Sequence, residues 1–178
     1  MMTLVFVLCA CKVTDKAEKI SQEFSNAQKI VVTADIRADY GDKVFDFKIT
    51  CTDTYEETAI EIRKPDELAG ITAVCTDDGY ELEYEGANFV TTGVLTRNGL
   101  SPAEALPCLI DMWRNGYVTG ASEEMYGGEK TVVLDAHITE RVTQRTWFDG
   151  ETLLPIRSEI AQDGVCVITC EFENVIVE

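Results

Sequence analysis

The feature that most constrains this chain is residue-by-residue alternation, broken at short intervals by glycine-containing turns. It is clearest from Thr143 to Val177. Thr143–Phe148 ends in Asp149-Gly150, and Leu153–Ala161 ends in Gln162-Asp163-Gly164. Val165–Val177 is long enough to return along most of the strand before it. Asp-Gly between alternating runs marks a hairpin, because glycine accepts the positive φ that tight turns need. Connections this short allow only antiparallel neighbours. The stretch therefore predicts three consecutive antiparallel strands.

The same reading extends upstream. Ile30, Val32, Ala34, Ile36, Ala38 and Tyr40 share one face of a strand that Gly41-Asp42 turns. Phe45, Phe47, Ile49 and Cys51 line the next, and Ile60 and Ile62 continue the pattern. Pro65–Gly70 interrupts it with a loop or a single helical turn. Ile71–Thr76 and Tyr80–Glu85 form a hairpin across Asp77-Asp78-Gly79, followed by a strand over Asn88–Leu95. Further strands cover Tyr117–Tyr126 and Lys130–Thr139, joined by Gly127-Gly128.

Two helices are expected. Asp15–Ala27 opens with Asp15 and Glu18 as a capping pair, and Ala17, Ile20, Phe24 and Ala27 fall on one side. Ser101-Pro102-Ala103-Glu104 is a capping box with proline at the first helical position. Leu106, Leu109, Ile110 and Trp113 follow at helical spacing, and Asn115-Gly116 ends the run. Pro107, inside this pattern, is expected to kink the helix or split it. The fold class is mainly β (α+β): a single curved antiparallel sheet of about eleven strands forming an unclosed barrel. The N-terminal and mid-chain helices cover its concave face.

The chain has 15 basic and 32 acidic residues, a formal charge of −17. Such a surface repels polyanions, which excludes nucleic acid as a partner. His137 is the only histidine; alone in a strand, it reads as solvated. Hydrolase, zinc-protease, phosphate-loop and dinucleotide signatures are absent, so no enzyme activity, cofactor or metal is expected. Cys166 and Cys170 sit four apart in one strand, about 13 Å from each other and too far to bridge. The thiol state of Cys51, Cys75, Cys108, Cys166 and Cys170 stays open at this level.

At the N-terminus, Leu4–Ala10 is an apolar run too short to span a bilayer. It leads into Leu8-Cys9-Ala10-Cys11, which resembles the lipobox of bacterial lipoproteins. By that resemblance residues 1–11 are a signal peptide ending in the lipidated Cys11, and residues 12–178 form the domain. The alternative, a buried first strand, fits less well with the polar residues from Lys12 onward.

The whole arrangement resembles the LolA/LolB superfamily. Thr146-Trp147-Phe148-Asp149 followed by Thr152-Leu153-Leu154-Pro155-Ile156-Arg157 looks like a passage of LolA-like lipoproteins from Gram-positive bacteria, GerS-like relatives among them. The resemblance implies an open β-barrel, held outside the cell membrane by its lipid, whose concave face binds an apolar or acylated ligand. The candidate lining is Phe45, Phe47, Ile49, Ile60, Ile62, Tyr80, Leu82, Tyr84, Val132, Leu134, Trp147, Leu154, Ile156 and Ile160, with Trp113 on the covering helix. Alternation alone does not separate a hollow face from a packed one. The second reading is therefore a membrane-tethered protein-binding module or regulator of an envelope enzyme, with that face packed as core.

Overall fold

The computed structural model describes residues 7–76, 79–84, 87–91 and 98–178, with side chains for 13–75, 83 and 98–178. The expected Asp77-Asp78 turn, the segment 92–97 and the start of the leader lie outside the described residues.

Strands β1 (Lys29–Asp39), β2 (Val44–Thr54), β3 (Thr58–Lys64), β4 (Thr72–Thr76), β5 (Gly79–Tyr84) and β6 (Ala87–Thr91) form one antiparallel meander. A second contains β7 (Val118–Tyr126), β8 (Glu129–His137), β9 (Val142–Asp149), β10 (Pro155–Gln162) and β11 (Val165–Val177). The two meet where β1 pairs with β11, giving the order β6-β5-β4-β3-β2-β1-β11-β10-β9-β8-β7. β6 and β7 stand at opposite edges, so the sheet is unclosed. Side chains are described for nine of the eleven strands; β5 and β6 are described in backbone, apart from the exposed Glu83. Bulges at Thr33/Ala34 and at Ile160/Ala161 interrupt the ladders on either side of β11. Such insertions bend a strand and tighten its twist.

Alternation becomes burial over much of the sheet, though Tyr40 and Phe45 at the end of the first hairpin are exposed. Ile30, Val32, Ala34, Ile36 and Ala38 of β1 are buried on one face. Ile49 and Cys51 of β2, Val132, Leu134 and Ala136 of β8, and Ile168 and Cys170 of β11 are buried as well. Helices α1 (Val7–Asn26) and α2 (Pro102–Asn115) pack onto this face and onto each other. α1 contributes Ile20 and Phe24, and α2 contributes Leu106, Leu109, Ile110 and Trp113. Trp113 makes edge-on contacts with Phe24, Phe148 and Phe172 at centroid distances of 5.3, 6.1 and 5.5 Å. The offset of ring charge favours that geometry.

Two local expectations are corrected. α1 begins at Val7, so exposed Asp15 lies within the helix and forms no capping pair with Glu18. The residues before it are tolerated in a helix, and the chain simply continues through them. α2 is one unbroken helix despite Pro107. A proline there removes one ladder bond, to the Ala103 carbonyl, and burial of Leu106, Leu109 and Ile110 holds both halves in line. Its start is as read: the Ser101 side chain accepts from the Glu104 amide at 3.4 Å, and Pro102 is the first helical residue.

Polar contacts set how the helices seat. Thr146 Oγ1, fully buried on β9, accepts from Trp113 Nε1 at 3.3 Å and from Gln144 Nε2 at 3.0 Å, and it shares a 2.7 Å bond with Ser158 of β10. Gly99, just before α2, has φ of +71°, and a Cβ there would fall 2.7 Å from Ile160 Cδ1. Glycine is required at that position on both counts.

Candidate functional site

The structure distributes the candidate lining unevenly. Ile49, Val132 and Ile160 are fully enclosed, and Trp113 and Leu134 nearly so. Phe47 and Ile60 pack against the same cluster. Ile62, Leu154 and Ile156 are half-buried, while Leu153, with φ of +60°, is the residue of its loop that packs on the core. Phe45 is exposed and stacks edge-on against Tyr40 at the end of the β1–β2 hairpin. The side chains of Tyr80, Leu82 and Tyr84 lie outside the described residues.

Trp147 is a correction of face. Val142, Gln144, Thr146 and Phe148 point into the core, so Trp147 points away from it. On the outer side Trp147 neighbours Tyr126, and Arg145 and Arg157 lie over its ring at 5.2 and 5.8 Å. Its indole donates to Glu124 at 3.3 Å. Glu124, Glu159 and Glu171 pair with the two arginines, making a ladder of ion pairs across the outer face. A shallow groove of about 570 Å³ beside it is lined by Asp35, Ile36, Arg37, Asp46, Phe47, Lys64, Arg157, Thr169 and Glu171. Arg37–Asp46 and Arg157–Glu171 already cancel most of its charge.

A second cavity, about 300 Å³, opens between α2 and the β2–β4 part of the sheet. None of the candidate apolar residues lines it. Its walls are Ser25 at the end of α1, Asp53 and Thr54 of β2, the turn Tyr55-Glu56-Glu57, Thr58 of β3 and Cys75 of β4. α2 supplies Glu104, Pro107, Cys108, Asp111, Arg114 and Asn115. The turn is held firmly: Thr54 Oγ1 accepts from the Glu56 and Glu57 amides at 3.3 and 3.2 Å and donates to the Glu57 carbonyl at 3.0 Å. Tyr55 reaches back, its hydroxyl donating to the Ser25 carbonyl at 3.0 Å.

Arg114 is the hub. Its side chain is only 8% exposed. Nε donates to Asp53 Oδ2 at 2.7 Å, and Nη1 donates to the Phe24 and Ala27 carbonyls at 3.2 and 2.6 Å. Those carbonyls lie where α1 ends, where the helix has no partners of its own to offer. Asp53 Oδ1 accepts from Thr58 at 2.6 Å, so one ion pair ties α2, α1, β2 and β3 together. The Tyr55 ring lies 5.1 Å from the guanidinium carbon. Nη2 finds no acceptor among the described residues.

The cleft is strongly negative. Asp53, Glu56, Glu57, Glu104 and Asp111 face a single guanidinium. Burial, and then Asp111 and Glu104, push the Cys108 thiol up to about 12, which removes it as a nucleophile near neutral pH. Among the described residues no three His, Cys, Asp or Glu are placed to hold a metal ion. His137 is exposed at the end of β8, away from these groups. Sequence reasoning missed the cleft because its residues come from polar turn and helix positions that alternation assigns to solvent.

No protein-family model matches the sequence, and no curated protein matches it. Solved structures do match by fold. A Vibrio parahaemolyticus domain described as outer membrane lipoprotein-sorting superposes with a TM-score of 0.52, at 10% identity over 95% of this chain and 93% of that one. A LolA superfamily protein from Nitrosomonas europaea gives 0.48 at 10% identity, over 91% and 93%. The GerS lipoprotein of Clostridioides difficile, solved in complex with the CwlD amidase, gives 0.43 at 14% identity over 98% of both chains. The fold is LolA-like.

Proposed function

We propose that this chain, LolA-like in fold, is a protein-binding module of the cell envelope, tethered to the outer face of the membrane through a lipidated Cys11. One observation carries the reading. The apolar face of the sheet is occupied by Phe24, Leu106, Leu109, Ile110 and Trp113, while the cavity beside α2 is polar and acidic. An acyl chain on that face has to displace those side chains, and burying one such residue is worth roughly 1.5–3 kcal/mol. A negative cleft next to an open sheet suits a polar protein segment better. Among the described residues no helix is long and apolar enough to cross a membrane. In this reading the tether is the lipid on Cys11, with residues 1–11 as its signal.

The test uses the full chain. A fluorescent fatty acid is expected to show no stoichiometric uptake. A photo-crosslinking residue replacing Asn115, in the cleft, is expected to give a discrete adduct with one envelope protein, and the same residue replacing Glu140 none. Stoichiometric uptake that Leu134→Glu abolishes overturns the reading in favour of ligand carriage. Cys11→Ala is expected to release the protein from membranes, and retention sinks the anchor.

A further inference from the structure

We infer that the cleft between α2 and the β2–β3 turn is the docking site, and that its occupant is a basic peptide segment of the partner. A lysine or arginine side chain enters among Glu56, Glu57 and Asp111, and an adjacent main-chain carbonyl accepts from Arg114 Nη2. This rests on the protein-binding reading above and adds to it the place and the partner's chemistry.

The charges argue for the cation. Five carboxylates against one guanidinium leave four negative charges around about 300 Å³. Asp53 is spent on Arg114 and Thr58, and Glu104 is buried. Glu56, Glu57 and Asp111 are exposed on the rim and carry the field outward. Burial first, and then the charges of Asp111 and Glu104, raise the Cys108 thiol, so two of these carboxylates act on a group inside the cleft.

Arg114 argues for the carbonyl. Its side chain is more than nine-tenths buried, it lines the cleft, and one of its nitrogens has no acceptor among the described residues. A buried guanidinium N–H without an acceptor is costly, and an incoming carbonyl relieves that cost. Tyr55, on the exposed turn above the guanidinium, is the group that turns aside to admit it. A ligand offering a cation and a carbonyl within one residue's reach is a peptide carrying a basic side chain. The volume is at the lower end for ligand sites, which suits one long side chain and its peptide unit. The backbone of the turn is preorganised by the Thr54 bonds, so what moves on binding is the Tyr55 side chain, which gives up its bond to the Ser25 carbonyl.

The test is fluorescence anisotropy with labelled, terminally blocked tetralysine and the full chain at low salt. One-to-one binding is expected, weakening as salt rises. The Glu56→Gln/Glu57→Gln variant is expected to lose roughly tenfold in affinity, about 1.4 kcal/mol. The remote Glu140→Gln/Glu151→Gln variant removes equal charge and is expected to bind like the parent. Spermine, with as many amines and no carbonyl, is expected to compete poorly. Absence of binding, equal loss in both variants, or equal competition by spermine overturns the inference. An Asn115 crosslink to a partner that persists in Glu56→Gln/Glu57→Gln rejects the basic-peptide assignment while leaving the module reading intact. Fatty-acid uptake in place of any adduct rejects both.

Discussion

Arg114 has a structural role that can be measured apart from any ligand. It is the only link that touches α1, α2 and β2 at once through hydrogen bonds among the described residues. Arg114→Met leaves Asp53 buried without its counter-charge, and breaking a buried pair this way costs about 3–5 kcal/mol. Urea denaturation should show that loss, with Asp53→Asn/Arg114→Met recovering part of it. Asp149 is a second such residue, and its effect is pH-dependent. The backbone N–H of Thr152, with that of Glu151 and the Thr152 hydroxyl, holds its carboxyl below the usual carboxylate range. The folded value lies below the unfolded one, so this contribution is complete above the ordinary carboxylate pKa. It is lost as pH falls through the lower folded value. Asp149→Asn should therefore flatten the stability curve below about pH 4, measured by denaturation at stepped pH. Asp149-Gly150 was legible as a turn from sequence. The role of Arg114 was not, because an arginine near the end of a helix ordinarily reads as a solvated charge.

Elements show why the faces of some strands were easier to read than others. β1 alternates cleanly, and its buried residues follow the apolar positions. β9 does not, because its core face carries Gln144 and Thr146 while its outer face carries Trp147. Hydrophobicity put Trp147 inside; the hydrogen bonds of Thr146 to Trp113 and Ser158 put the polar residues there instead. Thr146→Val keeps the shape and removes the shared acceptor of Trp113 and Gln144. A loss of about 1–3 kcal/mol is expected in equilibrium unfolding, since buried donors are left without partners. A variant as stable as the parent refutes that account of how α2 is seated. The boundaries of α2 were legible because capping is local chemistry. Its continuity through Pro107 was not, because tertiary burial decides it.

At the scale of the molecule, the open antiparallel sheet with two helices on one side was readable from turns and alternation alone. Hollow or packed was not readable, since the same pattern serves both, and filling depends on how closely α1 and α2 approach. Thiol reactivity gives a test of that packing. Cys51 and Cys170 are fully enclosed, and burial raises both thiols above their ordinary range. Cys166 is exposed. Maleimide should modify Cys166 in the native protein and reach Cys51 and Cys170 only with unfolding, as read by peptide mass mapping. Early labelling of Cys170 means the interior is looser than described.

The pairing of β1 with β11 also fixes an order of events. Ile30 sits across from Val177, so the seam between the two meanders joins segments far apart along the chain. Each meander can zip up early from its own hairpins, but each then has a bare greasy side and an unmatched border. Only when Val165–Val177 slots in do the halves become one body, so that segment acts as a late-closing clasp, and slow maturation with a need for shielding beforehand is its natural cost.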